Sequence, residues 1–263
     1  MQVVIDIGNT RIKWAQVEDG RLSKPGSAVH RDATDRAFAA LAAALPKDLS
    51  RAIVANVAGD AVALKLTELL RIRSRVVPEF VSVRAEQFGV RCAYDDPSRL
   101  GIDRWIAVLA AHHLASGAAC VIDAGTAATF DAVDAHGTHL GGLIMPGPQL
   151  LAAALDRNTS NIGATLAAAV APSGLDLLGK STDAAVGNGA MLALAGALDR
   201  AVDAVETALV ERTTVYLTGG DAPALRGWLE TEVELRADLV LEGLALFSDA
   251  PLGARLQPKG THA

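Results

Sequence analysis

The sequence predicts an α/β protein made of two related halves, each turning an Asp-Gly corner toward a shared cleft. The first sign is a pattern that occurs twice. Val3-Val4-Ile5-Asp6-Ile7-Gly8-Asn9-Thr10 and Val121-Ile122-Asp123-Ala124-Gly125-Thr126 are both apolar strands ending in aspartate, followed by a small-residue turn with a hydroxyl. The second sign is that both copies continue alike, through a further strand and a glycine-bearing hairpin turn, 18–22 in one and 134–140 in the other. The third is the alternation of strand-like and helix-like stretches between and after them. Asp6 and Asp123 stand a domain's length apart, too far for a solenoid repeat.

In order along the chain, 11–17 reads as a strand and 35–45 as an Ala/Leu helix closed by Pro46. A strand at 51–59, a helix at 60–73 and a strand at 75–83 complete the first lobe. Residues 89–104 read as irregular. The stretch 105–115 reads as a helix with Trp105, Val108, Leu109 and His112 on one face, running between the lobes. In the second lobe, 129–133 and 141–148 read as strands, 149–155 as a helix and 158–178 as a long loop. A long Ala-rich helix at 183–205 has Ser181 or Thr182 as its cap. The strand 213–218 leads into Gly219-Gly220-Asp221-Ala222, with helices at 223–230 and 239–246. These readings place the lobes at 1–115 and 116–250, with a mobile tail at 251–263.

Composition narrows the function. Hydrophobic residues make up 51% of the 263 and aromatics only 4%, a balance suited to Ala-rich helices around a Val/Ile/Leu sheet. No apolar run reaches the ~18 residues of a membrane helix. Met1-Gln2 leads directly into a strand, so no secretory leader is expected. Two cysteines, Cys92 and Cys120, fit a reducing interior, and a cytoplasmic location is expected. A net charge of −6 without a basic cluster leaves no electrostatic footprint for nucleic acid.

The chemistry follows from residue types. An aspartate ending an apolar strand is costly unless it meets a cation or donors. Glycine lets backbone N–H groups approach an anion, and a hydroxyl adds a donor, so both turns suit phosphates. An ordinary hairpin, with Asp6 and Asn9 bonding the turn, is the alternative, and the duplication weighs against it. A carboxylate in each half suits Mg²⁺ or another cation beside nucleotide phosphates. The Gly219-Gly220 turn suits an adenine or ribose lying on backbone. In Tyr94-Asp95-Asp96-Pro97-Ser98-Arg99-Leu100-Gly101-Ile102-Asp103-Arg104-Trp105, Pro97 suits a helix start and Asp103 falls early in the helix. There the dipole holds a carboxylate ionised, ready to take a hydroxyl proton, and Arg104 offers a forked donor. On that segment alone, a helix-start Asp with a surface Asp–Arg pair, which is common, is the better explanation. His112 and His113 do not converge on a metal and read as structural. No Walker-type or G-x-G-x-x-G phosphate loop is present, and no serine-triad motif.

Taken together, Asp6-Ile7-Gly8-Asn9-Thr10, Gly101-Ile102-Asp103-Arg104, Asp123-Ala124-Gly125-Thr126-Ala127-Ala128-Thr129 and Gly141-Gly142-Leu143-Ile144-Met145-Pro146-Gly147 resemble type III pantothenate kinase. This is the Bvg accessory factor family of the actin/hexokinase/Hsp70 ATPase superfamily, and the match runs in order from Val3 to Leu246. The resemblance implies a duplicated ribonuclease-H-like fold, with two mixed-sheet lobes flanking a nucleotide cleft, and a homodimer. It implies transfer of the ATP γ-phosphate to the primary hydroxyl of pantothenate, with ATP, Mg²⁺ and a monovalent cation, K⁺ or NH₄⁺. By position, Asp6, Ile7, Gly8, Asn9, Thr10, Arg11, Ile12 and Lys13 would be the first ATP loop, with Asp6 toward the phosphate-bound Mg²⁺. Gly125, Thr126, Gly219 and Gly220 would be further ATP contacts, and Asp123 the monovalent-cation ligand. Asp103 would be the general base. Tyr94, Gly101, Ile102, Arg104 and Thr182 would line the pantothenate site, Thr182 from across the dimer. Ile102 stands where the family usually has alanine, and Ser181 where asparagine commonly precedes the threonine. Two other readings compete: a non-catalytic nucleotide-binding accessory protein, and a sibling kinase or phosphatase acting on a sugar or polyphosphate. Keeping Asp6, Asp103 and Asp123 together argues against the first, and the 94–104 segment against the second.

Overall fold

The computed structural model describes residues 1–158 and 174–248, and two compact units emerge from its packing. The expected tail at 251–263 and most of the expected 158–178 loop lie outside the described residues.

One unit comprises, of the described residues, 1–82, 101–106 and 240–248. Its sheet is built from β1 (Gln2–Ile7), β2 (Arg11–Glu18), β3 (Arg21–Val29), β4 (Arg51–Asn56) and β5 (Glu79–Phe80) in the order β3-β2-β1-β4-β5. The first three strands run as antiparallel hairpins, while β4 and β5 add in parallel. Helices α1 (Thr34–Ala44) and α2 (Asp60–Ser74) supply the parallel crossovers that such a sheet requires. The β2–β3 turn places Asp19 at φ 51° and Gly20 at φ 72°, the left-handed pair that a tight two-residue hairpin needs. Ile5, Ile7, Ile12, Val54, Phe38, Leu41, Leu66 and Leu70 form the buried core between sheet and helices. Only Glu79 and Phe80 of the expected 75–83 strand pair with β4. Pro78 has no N–H for the ladder, so pairing starts after it. Arg51 forks onto both Glu79 carboxylate oxygens at 2.7 and 3.0 Å and donates to the Ser248 carbonyl at 2.9 Å, tying the chain's later segment to this sheet.

The other unit comprises residues 83–100 and 107–239. It begins with a small hairpin, β6 (Glu86–Gln87) and β7 (Val90–Arg91), whose second strand falls within the 89–104 stretch that reads as irregular in sequence. Helix α3 (Ile102–Leu114) has its first turn in the first unit, up to Ile106, and the remainder in this one. It is buried all round from Arg104 to Ala111 rather than along one face, as its unbroken apolar run permits. The main sheet contains β8 (Ala119–Ala124), β9 (Ala127–Val133), β10 (His139–Pro146), β11 (Thr214–Thr218) and β12 (Glu234–Leu235) in the order β10-β9-β8-β11-β12. This is the order of the first sheet, strand for strand, with the same antiparallel pairs followed by two parallel ones. The chain is therefore a duplicated ribonuclease-H-like α/β protein. Helices α4 (Pro148–Asn158), α5 (Thr182–Leu209) and α6 (Ala222–Arg226) belong to this unit, and α7 (Leu239–Ala245) ends the regular structure. Ser181 caps α5, its hydroxyl accepting from Ala184 N–H at 3.2 Å, which leaves Thr182 exposed as the first helical residue. Leu194, Leu198, Met191, Ile122, Phe130 and Leu217 centre the second core. No helix among the described residues is long and apolar enough to cross a membrane.

Candidate active site

Asp6 and Asp123 occupy matched places, each one residue from the end of the central strand of its sheet. Asp6 is directly opposite Lys13 on β2, so the two side chains share one face of the sheet. Ile7 and Ile12 close the same hairpin but point into the core, leaving only their backbone for a ligand. Between them Gly8 N–H donates to the Arg11 carbonyl at 3.0 Å, while Asn9 and Arg11 are exposed. His30, buried at the end of β3, locks this turn from behind. Its Nε2 donates to the Gly8 carbonyl at 2.6 Å, and its backbone N–H donates to the Thr10 carbonyl at 2.9 Å. Nothing in the sequence near Gly8 points to His30.

The second turn is one residue shorter. Ala124 pairs with Ala128, and Gly125 N–H donates to the Ala127 carbonyl at 3.2 Å. Two glycines from distant segments hold it. Gly147 N–H donates to the Thr126 carbonyl at 3.0 Å, and a Cβ on Gly147 would collide with the Gly125 and Thr126 carbonyls. Gly219, at φ 100°, lies against Ala124, and a Cβ there would come within 2.5 Å of Asp123 Oδ1. Asp221 N–H completes the clasp on the Ala124 carbonyl at 2.9 Å. Burial pushes the Asp221 carboxyl above its usual range. Thr126 and Gly220 are exposed at the rim, with open space around Gly220.

Asp103 lies in the first turn of α3, where its Oδ1 accepts the Arg104 N–H at 2.8 Å. Gly101 makes the room, since a Cβ there would meet Asp103 Oδ1 at 2.7 Å. Its carbonyl receives the Trp105 N–H at 3.0 Å and opens the helix. Within the same unit, α7 crosses close at Gly243, where a side chain would strike the Ile106 carbonyl. Arg104 is buried, and Ile102 half-buried. Pro97 starts a short 3₁₀ turn rather than α3 itself, capped by Asp96 accepting from Ser98 N–H at 3.0 Å.

Tyr94 belongs to the other unit and stacks on His139 at 6.3 Å between ring centroids, 12° from parallel. Among the described residues no three His, Cys, Asp or Glu side chains gather to hold a metal ion by themselves. A hard divalent cation would therefore need phosphate oxygens for most of its shell, which is how Mg²⁺ accompanies ATP. Asp6 in one unit and Asp123 in the other each stand beside a small-residue turn and could each contribute one carboxylate oxygen. Cys120 offers no nucleophile. Burial, helped by Glu206 and opposed by the Thr213 hydroxyl, pushes its thiol up to about 11. A hollow of about 1100 Å³ near α5 is lined by six carboxylates, among them Asp199 and Glu230, against the two guanidiniums of Arg200 and Arg212, a net-acidic wall that disfavours phosphate.

A duplicated sheet with an aspartate–glycine turn at each central strand is the fold of the actin-like ATPase class. Solved structures bear out the fold. The activator of 2-hydroxyisocaproyl-CoA dehydratase from Clostridium difficile, with bound ADPNP, has a TM-score of 0.52 at 13% identity, over 94% of this chain and 93% of that one. An ethanolamine utilization protein from Carboxydothermus hydrogenoformans has a TM-score of 0.53 at 13% identity, over 93% and 89%. The sequence profile of type III pantothenate kinase matches residues 2–204. The type III pantothenate kinase of Nitrosococcus oceani is 36% identical over 250 residues, 93% of this chain and 92% of that protein. That of Pseudomonas putida KT2440 is 37% identical over 247 residues, 94% and 98%. The chain belongs to the type III pantothenate kinase family, a family of ATP-dependent kinases.

Proposed function

We propose that this protein transfers the γ-phosphate of ATP to the primary hydroxyl of pantothenate, the first step of coenzyme A synthesis. The observation that carries the reading is the placement of Asp103 in the first turn of α3, its Oδ1 accepting the Arg104 N–H beside a glycine that leaves its carboxylate room. Asp103 orients the hydroxyl and takes its proton as the new P–O bond forms. Asp6, Gly8, Asn9, Thr10 and Lys13 hold phosphate oxygens, with Ile7, Arg11 and Ile12 shaping the loop, and Gly125 and Thr126 do the same from the second turn. Gly219 and Gly220 take the nucleoside, and Asp123 ligates K⁺ or NH₄⁺. Mg²⁺, when bound with ATP near Asp6, neutralises charge that develops on the phosphates. Tyr94, Gly101, Ile102 and Arg104 bind pantothenate, with Thr182 supplied by a second copy of the chain. Catalysis is then positioning and charge stabilisation.

A homodimer is supported by the edge strand β10, whose Leu143 and Ile144 are 47% and 67% exposed. The lobe boundary near 115, a cytoplasmic location and the absence of nucleic-acid or membrane partners belong to the same reading. Coupled ADP release with pantothenate and a panel of sugars tests it. Pantothenate-dependent turnover is expected, lost by about 10²–10⁴-fold in Asp103→Asn while ATP binding persists. Turnover on a sugar alone, or full activity of Asp103→Asn, would sink the assignment.

A further inference from the structure

Asp131 and His139 form a buried polar pair, at 2% and 1% exposure, that no step of the proposed reaction uses. Asp131 lies in β9 between Phe130 and Ala132, which face the core, so its own side chain lies on the opposite face of the sheet. His139 opens β10 and its Nε2 lies 3.1 Å from Asp131 Oδ1. Its Nδ1 accepts the Ala93 N–H at 3.4 Å, so one tautomer, with the proton on Nε2, serves both bonds. The next residue is Tyr94, stacked on the His139 ring. Further contacts fix the same segment to the β9–β10 turn: Arg91 N–H donates to the Gly137 carbonyl at 2.8 Å, and Gly137 abuts the Gly89 carbonyl so closely that a Cβ would not fit.

We propose that the Asp131–His139 pair is a positioning device that fixes the Ala93–Tyr94 backbone and the Tyr94 ring, and thereby sets the affinity for pantothenate. The second half of this statement rests on Tyr94 being a substrate contact. Burying a carboxylate is costly unless it is bonded, and here it orients an imidazole whose far side holds the loop. His139 and Asp131 are positioning residues, acting on the substrate through Tyr94.

Tyr94 and Tyr216 are the two tyrosines of the chain, so 3-fluorotyrosine labelling gives two ¹⁹F lines, and Tyr216→Phe assigns Tyr94. The principal variant is Asp131→Val with His139→Phe, since removing histidine alone would take the Nε2–H donor from a buried carboxylate. His139→Gln removes the ring while keeping a donor and an acceptor, and gives the same readout if the double variant does not fold. In both, the Tyr94 line is expected to shift or broaden, with the KM for pantothenate raised about tenfold and that for ATP unchanged. Asp131→Asn keeps an acceptor for Nε2–H and is expected to restore both. An unmoved Tyr94 line overturns the proposal, as does a fall of all kinetic constants in parallel with the melting temperature. If the line moves in the variants but pantothenate leaves it untouched in the wild type, the reading of Tyr94 as substrate contact fails while the pair's hold on it stands.

Discussion

Gly101→Ala isolates the placement of the base from its chemistry. Gly101 is outside the positive-φ region, so alanine brings no backbone strain. Its methyl group would stand 2.7 Å from Asp103 Oδ1, against the 3.4 Å or more of ordinary van der Waals contact. The atom in the way is the end of a side chain, so the carboxylate swings aside and the fold is spared. A shift of about 0.7 Å is near the scale at which misplacing a reacting group costs ~10²-fold in rate. We expect kcat to fall by about 10- to 100-fold, equivalent to ~1.4–2.7 kcal/mol of transition-state stabilisation. Stability changes by less than about 1 kcal/mol, since the entropic gain of Gly→Ala offsets the off-rotamer carboxylate. Steady-state kinetics at saturating ATP and pantothenate, with a thermal melt beside them, make the measurement. Combined with Asp103→Asn, the methyl should add little, because both changes act through one group. A kcat within twofold of wild type would refute the reasoning, as would a melting temperature lowered by ten degrees or more.

Gly219→Ala faces a left-handed φ and a collision with the Ala124 carbonyl, so about 2–4 kcal/mol of stability should be lost, with a raised KM for ATP. Gly220→Ala next to it meets open space and should stay within about 0.5 kcal/mol, and chemical denaturation compares the pair. His30→Ala removes the bond to the Gly8 carbonyl and should cost about 1–3 kcal/mol. Initial rates should then show a raised KM for ATP and an unchanged KM for pantothenate. Asp134 carries the pH dependence of the β9–β10 turn. Burial pushes its carboxyl up, but the Thr138 N–H and hydroxyl and the His136 N–H and ring outweigh that and hold it below its usual value. A depressed folded value means stability that is present above the usual carboxylate pKa of about 3.9 and lost as pH falls through the folded value. Asp134→Asn should therefore melt below wild type at pH 7 and converge with it in acid.

Much of the site was legible because strands report locally. An apolar run ending in aspartate, then glycine and a hydroxyl, identified both turns, and the structure sets Asp6 and Asp123 at matched positions of matched sheets. Asp19-Gly20 announced its hairpin because few residue pairs adopt two left-handed conformations in succession. The β6–β7 hairpin gave no such sign, since two-residue strands show no period. Lys13, expected in the first ATP loop, is set opposite Asp6 by the strand register, which the sequence does not spell out.

The sequence by itself determined the duplicated α/β plan, the two phosphate-type turns and the early-helix Asp103, for each depends on the residue order within a few positions. Tertiary structure alone decided what holds those pieces still. His30 reaches Gly8 from the end of β3, Gly147 and Gly219 clasp the turn after Asp123, and Asp131 sits behind His139 and Tyr94. Each is a contact between segments far apart in the chain. Such pairings depend on which strands neighbour one another and in what register, and no local pattern of residue types encodes that.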